Sequence, residues 1–527
     1  MTPGRSVSRL FVVRLLVILC ALVATTLAPV ATAQAAPMEL GFRDHSYGTS
    51  VTAPTGQKPQ SKLWYADGSW WGVLWNTGGR KFTIHKFNQA TEATDAWTST
   101  DVLVDVRRNS QSDVLWDEAS NQLYVLSHLK DSDTATSDRD LKFLRYGYTA
   151  GKYSLELSKI VATGSVEAAV MDKDSTGQLW ISYTEPNASG GRTVKVAHST
   201  TSDSNWTSPF TLPVPASAAE TSDDDISTLV AYGDHTGRRI GVIWSNERTS
   251  ELLFASHQDG APDSAWSMTT LCSTVLCPDD HLNIKSIDAD ASGHLYAVVK
   301  TSLNDKRVKD PNDPLMVVYR LNPSGSWSSA VAWTVADDVT RAIVVLDSGN
   351  REAHLFAAGP CCSGGTVYTK RSSFADLRFV TGLGTPFMRS ERLAEGEAIN
   401  NVTSTKQTVN PRTGLLVLAG IDRTRDYVHR YQSLQPVDTR PPSVTSRTPD
   451  NGATEVQVSA ATSVTFSEPV DASTVTASTF TLRDSTGAVV PASVVYDPAA
   501  TSAALQPHST LPAGASYTAT VTGGVSA

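Results

Sequence analysis

The chain has 527 residues, 53 acidic and 44 basic, for a net charge of −9 at neutral pH. That length exceeds one average domain, and so acidic a chain is a poor partner for nucleic acid. Beyond the first 36 residues no stretch is apolar for long enough to span a membrane.

Residues 1–36 read as a secretory signal peptide. Arg5, Arg9 and Arg14 precede the apolar run "LLVILCALVATTLAPV", and "ATAQAA" offers small residues for cleavage between Ala33 and Ala36. Pro29 and the alanine-rich exit argue against an uncleaved anchor, and Leu19 is too bulky for lipoprotein processing at Cys20. Removing this segment leaves 41 basic and 53 acidic residues, a net of −12. It also leaves Cys272, Cys277, Cys361 and Cys362, which in an exported protein are disulfide candidates. Cys272 and Cys277 can staple one short loop. The adjacent pair can bridge itself or reach elsewhere. Neither spacing is that of a zinc knuckle.

Residues 38–435 show short aromatic-rich strands between Gly, Asp, Asn and Ser turns, with almost no helical periodicity. One unit recurs about every 50 to 60 residues, from "SKLWYADGSWWGVLWN" through "SDVLWDEASNQLYVLSHL", "EAAVMDKDSTGQLWISYTE", "STLVAYGDHTGRRIGVIWSNE", the stretch from Cys277 to Lys300 and "RAIVVLDSGNREAHLFAAG" to "VTSTKQTVNPRTGLLVLAGID". Each is one antiparallel sheet with faces it cannot bury alone, and seven of them suit the radial stacking of a seven-bladed β-propeller. The seventh lacks a fourth strand. Residues 38–52 are free to supply it and clasp the ring. A β-sandwich array is the alternative.

Two turns, "STTSDSNWTSP" (199–209) and "SHQDGAPDSAWS" (256–267), resemble degenerate Asp-boxes of sialidase-like propellers. Trp206 and Trp266 match the aromatic of the box, whereas Asp203 sits two places late and the second turn is three residues too long. The resemblance implies structural turns remote from chemistry. A sialidase needs three arginines, for which Arg108, Arg341 and either Arg389 or Arg392 are candidates, and a Tyr–Glu pair, which is not assignable here.

A Pro-rich linker, 436–442, ends the repeat. The Thr-, Val- and Ala-rich tail, 443–527, closely resembles bacterial Ig-like domains of the S-layer type. The residues that carry this are Pro449, Gly452, Ala453, "VTFSEPVD", "FTLRD" and "LPAGASYTATVTGGV". The resemblance implies a β-sandwich spacer or adhesion module without a catalytic site, stopping before the family's final strand.

In a propeller the innermost strands begin on one face, around the axis. The residues there are Arg108 and Asp113, Glu167, then Asp223, Asp224 and Asp225, then Asp279, Asp280 and His281, then Asp337 and Arg341, and finally Asn401. Carboxylates and amides pair with sugar hydroxyls. A solvated polar lip accounts for the same composition, since Asp opens strands at turns. Concentrated acids also suit a calcium ion, although no cofactor is evident. Serine-hydrolase, P-loop, zinc-protease and dinucleotide motifs are absent. The expectation is a monomeric, secreted or surface-bound protein that recognises a glycan or another envelope component on this rim. A glycoside hydrolase, a lyase with His281 as base and Arg341 or Lys285 neutralising a uronate, and a passive adhesion protein are the alternatives.

Overall fold

The computed structural model describes residues 40–56, 58–89, 95–129, 137–287, 295–322, 324–361, 364–435, 441–497, 500–523 and 525. The signal segment, most of the linker and Cys362 lie outside them. Two compact units result, Met1–Leu434 and Gln435–Ala527. Among the described residues the structure is almost wholly β, and no helix is long and apolar enough to cross a membrane.

The first unit contains seven antiparallel sheets, each begun by one strand: Leu63–Ala66, Ser110–Asp117, Glu167–Lys173, Ser227–Asp234, Leu282–Ser286, Thr340–Asp347 and Ile399–Thr403. Sheets one to six take their further strands in chain order. Sheet seven takes its fourth from far upstream: strand β1 (Phe42–Ser46) pairs antiparallel with Asp426–Gln432, Phe42 opposite His429 and Arg43 opposite Val428. The first strands of successive sheets pack against one another. The series returns on itself where Leu63 bridges Thr405 and Leu63 N donates to Ser404 O at 3.1 Å.

The second strands explain the apolar runs of the sequence. Leu295–Lys300 and Leu415–Ile421 are buried along their whole length, because sheets on either side cover both faces, so polar–apolar alternation disappears. Tryptophan fills the space between sheets. Trp64, Trp70, Trp71, Trp75, Trp180, Trp244 and Trp333 are all under 2% exposed, and Trp64 Nε1 donates to Tyr153 Oη of sheet two at 2.7 Å. These rings are core, not stacking platforms for a ligand.

The hairpin from first to second strand repeats one device. Asp117, Asp174, Asp234, Asp347 and Asn410 each accept from the backbone N–H two residues on, the Asx-turn that makes these residues turn formers. At Asp174 one oxygen takes Thr176 N and Gln178 N, and the other takes Trp180 Nε1 at 2.9 Å. The two turns picked out by sequence instead close with the indole donating backwards, Trp206 to Asp203 O and Trp266 to Asp263 O. Cys272 and Cys277 form a disulfide.

The second unit has a four-stranded sheet, in the order Val444–Thr448, Thr462–Phe466, Ser502–Pro507 and Ala492–Asp497, and a two-stranded sheet, Phe480–Asp484 with Tyr517–Val521. Val464, Phe466, Phe480, Leu482 and Leu505 form its core.

Candidate functional site

Where the seven first strands meet, side chains close the middle. Asp113 is fully buried. Its oxygens accept Ser61 N and Met171 N, both at 2.9 Å, and it pairs with Lys406 Nζ at 2.5 Å, so one carboxylate ties sheets one, two, three and seven. Lys285 of sheet five donates to Ser61 Oγ at 3.0 Å, and Asn283 bonds Lys58 O at 3.1 Å and Val344 N at 3.2 Å. Asp172 accepts Ala231 N at 2.8 Å. Burial raises the Asp172 pKa and lowers that of Lys285 to about 7, the latter helped by the charge of Lys406. A cavity of about 60 Å³ beside Asp172, Lys285 and Lys406 has room for water.

The larger concavity lies to one side. A cavity of about 730 Å³ is walled by Arg341 and Pro360 of sheet six, Asn400, Asn401, Asp422 and Arg423 of sheet seven, and Lys58, Gly56 and Ala53 before sheet one. Its volume is that of a small-ligand pocket. Gly364, Leu393, Gly396 and Ala398 complete the wall without adding charge. Three cations and one acid thus face the space, in a chain whose overall charge is negative.

The backbone aims two of these side chains. Arg341 is the second residue of its strand and Asn401 the third of its own, and both stand at positive φ, +52° and +56°. At each the ladder slips, between Thr340 and Ile343 and between Asn400 and Thr403. These are β-bulges, which interrupt alternation and redirect a side chain. For an arginine the left-handed conformation is an outlier that local structure must hold in place. Sheet three repeats the device at Ala168, φ +52°. The Arg341 Nη1 is buried and has no hydrogen-bond partner among the described residues. Burial lowers the Arg341 pKa, opposed by Asp422 and Asp279. A buried guanidinium nitrogen without an acceptor is costly and calls for an explanation.

The triplet Asp279–Asp280–His281 adjoins this wall through Lys58, which pairs with Asp280. Lys300 and His281 both bind Asp279, and His281 Nδ1 also lies 2.6 Å from Asp280. Desolvation opposes charge on Asp279, but His281 and Lys300 outweigh it and hold its pKa well below the usual carboxylate range. Burial, with Lys58 beside it, pushes His281 down to about 3 against the pull of Asp279. The ring is therefore neutral, with Nδ1–H donating to carboxylate. Its Nε2, the atom a general base would use, is buried and unpartnered. The three residues could offer ligands to one metal ion, but Lys58 and Lys300 already neutralise the two carboxylates.

The structure does not gather the remaining rim residues. Arg108, Asp223 and Asp224 are exposed, whereas Asp225 is fully buried and accepts Ser222 N and Glu247 N at 2.7 and 3.0 Å. Glu167 stands 4.0 Å from Arg192. Asp337 caps a short 3₁₀ turn, accepting Thr334 N and Oγ1 at 2.8 and 3.1 Å. Of the twelve rim residues named from sequence, Arg341 and Asn401 line the large cavity.

Four participants come from a place the sequence reading did not examine. Asp422 and Arg423 sit in the hairpin from second to third strand of sheet seven, Glu247 in that of sheet four, and Lys300 ends the second strand of sheet five. In an antiparallel sheet that hairpin lies at the end where the first strand begins. The strand order held this signal. Glu247 is half-buried, and desolvation together with the charges of Asp224, Asp225 and Asp279 raises its pKa to about 8.

Residues 438–527 match the family model of the bacterial Ig-like domain Big_5, so the C-terminal unit is a bacterial Ig-like domain, a kind typical of surface or extracellular proteins. No curated protein matches the chain. Among solved structures, an ulvan lyase of polysaccharide lyase family PL25 is similar over 74% of this chain and 96% of its own, at 11% identity and a TM-score of 0.45. The polysaccharide lyase Uly1 is similar over 76% and 98%, at 10% identity and 0.42. The SapL1 lectin in complex with alpha-methyl fucoside is similar over 63% and 97%, at 10% identity and 0.37. Likeness at this level carries no substrate or activity across.

Proposed function

We propose that the protein is an exported bacterial recognition protein whose first unit is a seven-bladed β-propeller, clasped by β1, that binds an anionic glycan in the off-axis cavity of sheets six, seven and one. The successive packing of the first strands and the Leu63–Thr405 bridge support the closed ring. One observation carries the binding site: the buried, unpartnered Arg341 Nη1 on a bulge residue at the cavity wall. A ligand carboxylate or sulfate satisfies that nitrogen, with Arg423 adding charge and Asn400 and Asn401 matching hydroxyls. Recognition is favoured over catalysis because His281, the candidate base, does not line this cavity, whereas Arg341 does.

The test is calorimetric titration of the mature chain with polygalacturonate and alginate fragments, and with neutral dextran fragments. Unsaturated uronate is followed by its ultraviolet absorbance in the same samples. Binding of a uronate polymer but not dextran, weakened at least tenfold by Arg341→Ala, is expected. Cleavage would replace recognition by lyase action, and wild-type binding unaffected by Arg341→Ala would remove the site from this cavity.

A further inference from the structure

The cavity belongs to sheets six and seven only in part. The segment 40–58 supplies Ala53, Gly56 and Lys58 directly. It also holds two other parts of the wall. Arg43 on β1 donates to Ser390 Oγ at 3.0 Å and pairs with the carboxylate of Glu397, which is 6% exposed. Ser390 Oγ in turn donates to that carboxylate at 3.2 Å. Leu40 and Arg389 exchange backbone hydrogen bonds at 3.1 and 3.0 Å. Between these anchors runs the stretch that brings Leu393 and Gly396 to the cavity. Further on, the fully buried Tyr47 places its hydroxyl 3.1 Å from Ile421 O and 3.3 Å from Asp422 Oδ1. Asp422 is the single acid of the wall among the described residues.

We propose that Arg43 and Tyr47 are positioning residues of the cavity, and that the site is assembled only when the N-terminal segment clasps sheet seven. The inference rests on the cavity being the glycan site. Arg43 fixes the 389–398 wall through Glu397 and Ser390. Tyr47 fixes Asp422, and with it the charge balance opposite Arg341. The segment also brings Lys58, which links the cavity to the His281 triplet. A ligand that contacts all three walls favours the clasped form, and by linkage the clasped form favours the ligand. Closing the sheet and forming the site are then one equilibrium.

Hydrogen–deuterium exchange and polygalacturonate titration of the full mature chain test this in parallel. Arg43→Met and Glu397→Gln are expected to speed amide exchange at 389–398 by roughly tenfold, the size of one lost charge-assisted hydrogen bond. Tyr47→Phe should do so at 421–425. Each should weaken polygalacturonate binding by roughly fivefold or more, and Arg43→Lys should recover part of the loss. Thr77→Val removes only a bond from sheet one to Ser46 O on β1 and should leave both walls and the affinity unchanged. Exchange at 389–398 that stays at the wild-type rate in Glu397→Gln overturns the proposal, as does a rise spread evenly over sheet seven. Should Arg43→Met fail to fold, Glu397→Gln and Tyr47→Phe decide. Failure of the wild-type chain to bind polygalacturonate overturns the uronate reading of the site, and the exchange arm then decides the coupling by itself.

Discussion

Replacing Lys285 by methionine should stabilise the first unit, and by an amount that depends on pH in a defined way. Lys285 is 5% exposed, donates to Ser61 Oγ, and lies near Lys406, Asp113 and Asp172. Burial lowers its pKa from an ordinary 10.5 to about 7. Between those values the unfolded chain binds a proton that the folded chain does not, so stability rises with pH across that window, and as pH falls it is lost from about 10.5 down to about 7 and changes no further below. At about 1.4 kcal/mol for each pH unit, excluding the charge costs roughly 4–5 kcal/mol at and below neutral pH. Methionine removes that cost and gives up one hydrogen bond of about 1 kcal/mol. The net gain should be about 3 kcal/mol near pH 7 and close to nil by pH 10. All 12 tryptophans precede the C-terminal unit, so urea unfolding followed by tryptophan fluorescence reports the first unit alone. A difference between variant and wild type that is flat with pH would refute the argument. So would a variant less stable than wild type at pH 7.

Two further outcomes follow from the same buried chemistry. Asp113→Ala strands Ser61 N, Met171 N and Lys406 in the interior and should lower unfolding stability by about 3–5 kcal/mol, with Asp113→Asn costing less because the amide oxygen still accepts. Equal costs for the two would mean that volume, not hydrogen bonding, holds these sheets together. Glu247 has a folded pKa near 8, so its contribution is complete below the ordinary carboxylate range and is lost as pH rises through about 8. The thermal midpoint should therefore fall across that range in wild type and fall less steeply in Glu247→Gln. Identical slopes would show that Glu247 does not carry the effect.

Much of the architecture was legible because it is local. Strand-length apolar runs separated by Asp- and Gly-bearing turns mark the sheets, since two-sided burial selects apolar second strands and the Asx-turn selects Asp or Asn at five of the first hairpins. Cys272 and Cys277 are close enough in sequence to pair whatever the rest of the chain does. The Ig-like unit carries its own residues in one continuous stretch. The unclaimed strand at 38–52 was also readable, because sheet seven ends one strand short, and β1 takes that place.

The site was legible only as a list of polar residues near strand starts. Alternation could not say which of them face the cavity, because bulges at Arg341 and Asn401 break the period-two rule at the very residues that matter. Arg107 and Arg108 are neighbours, yet Arg107 is buried against Asp105 while Arg108 is exposed. Asp225 and Asp223 part in the same way. Asp422 and Arg423 required knowing which hairpins share an end with the first strands. Composition and local spacing thus determined by themselves that the chain is built of β-sheets, and the resemblance of residues 443–527 to a known family marked the Ig-like module. Which charges are consumed inside the fold, and which are left facing a cavity, depended on contacts between residues hundreds of positions apart, such as Arg43 with Glu397 and Lys406 with Asp113, and only the tertiary structure decides those.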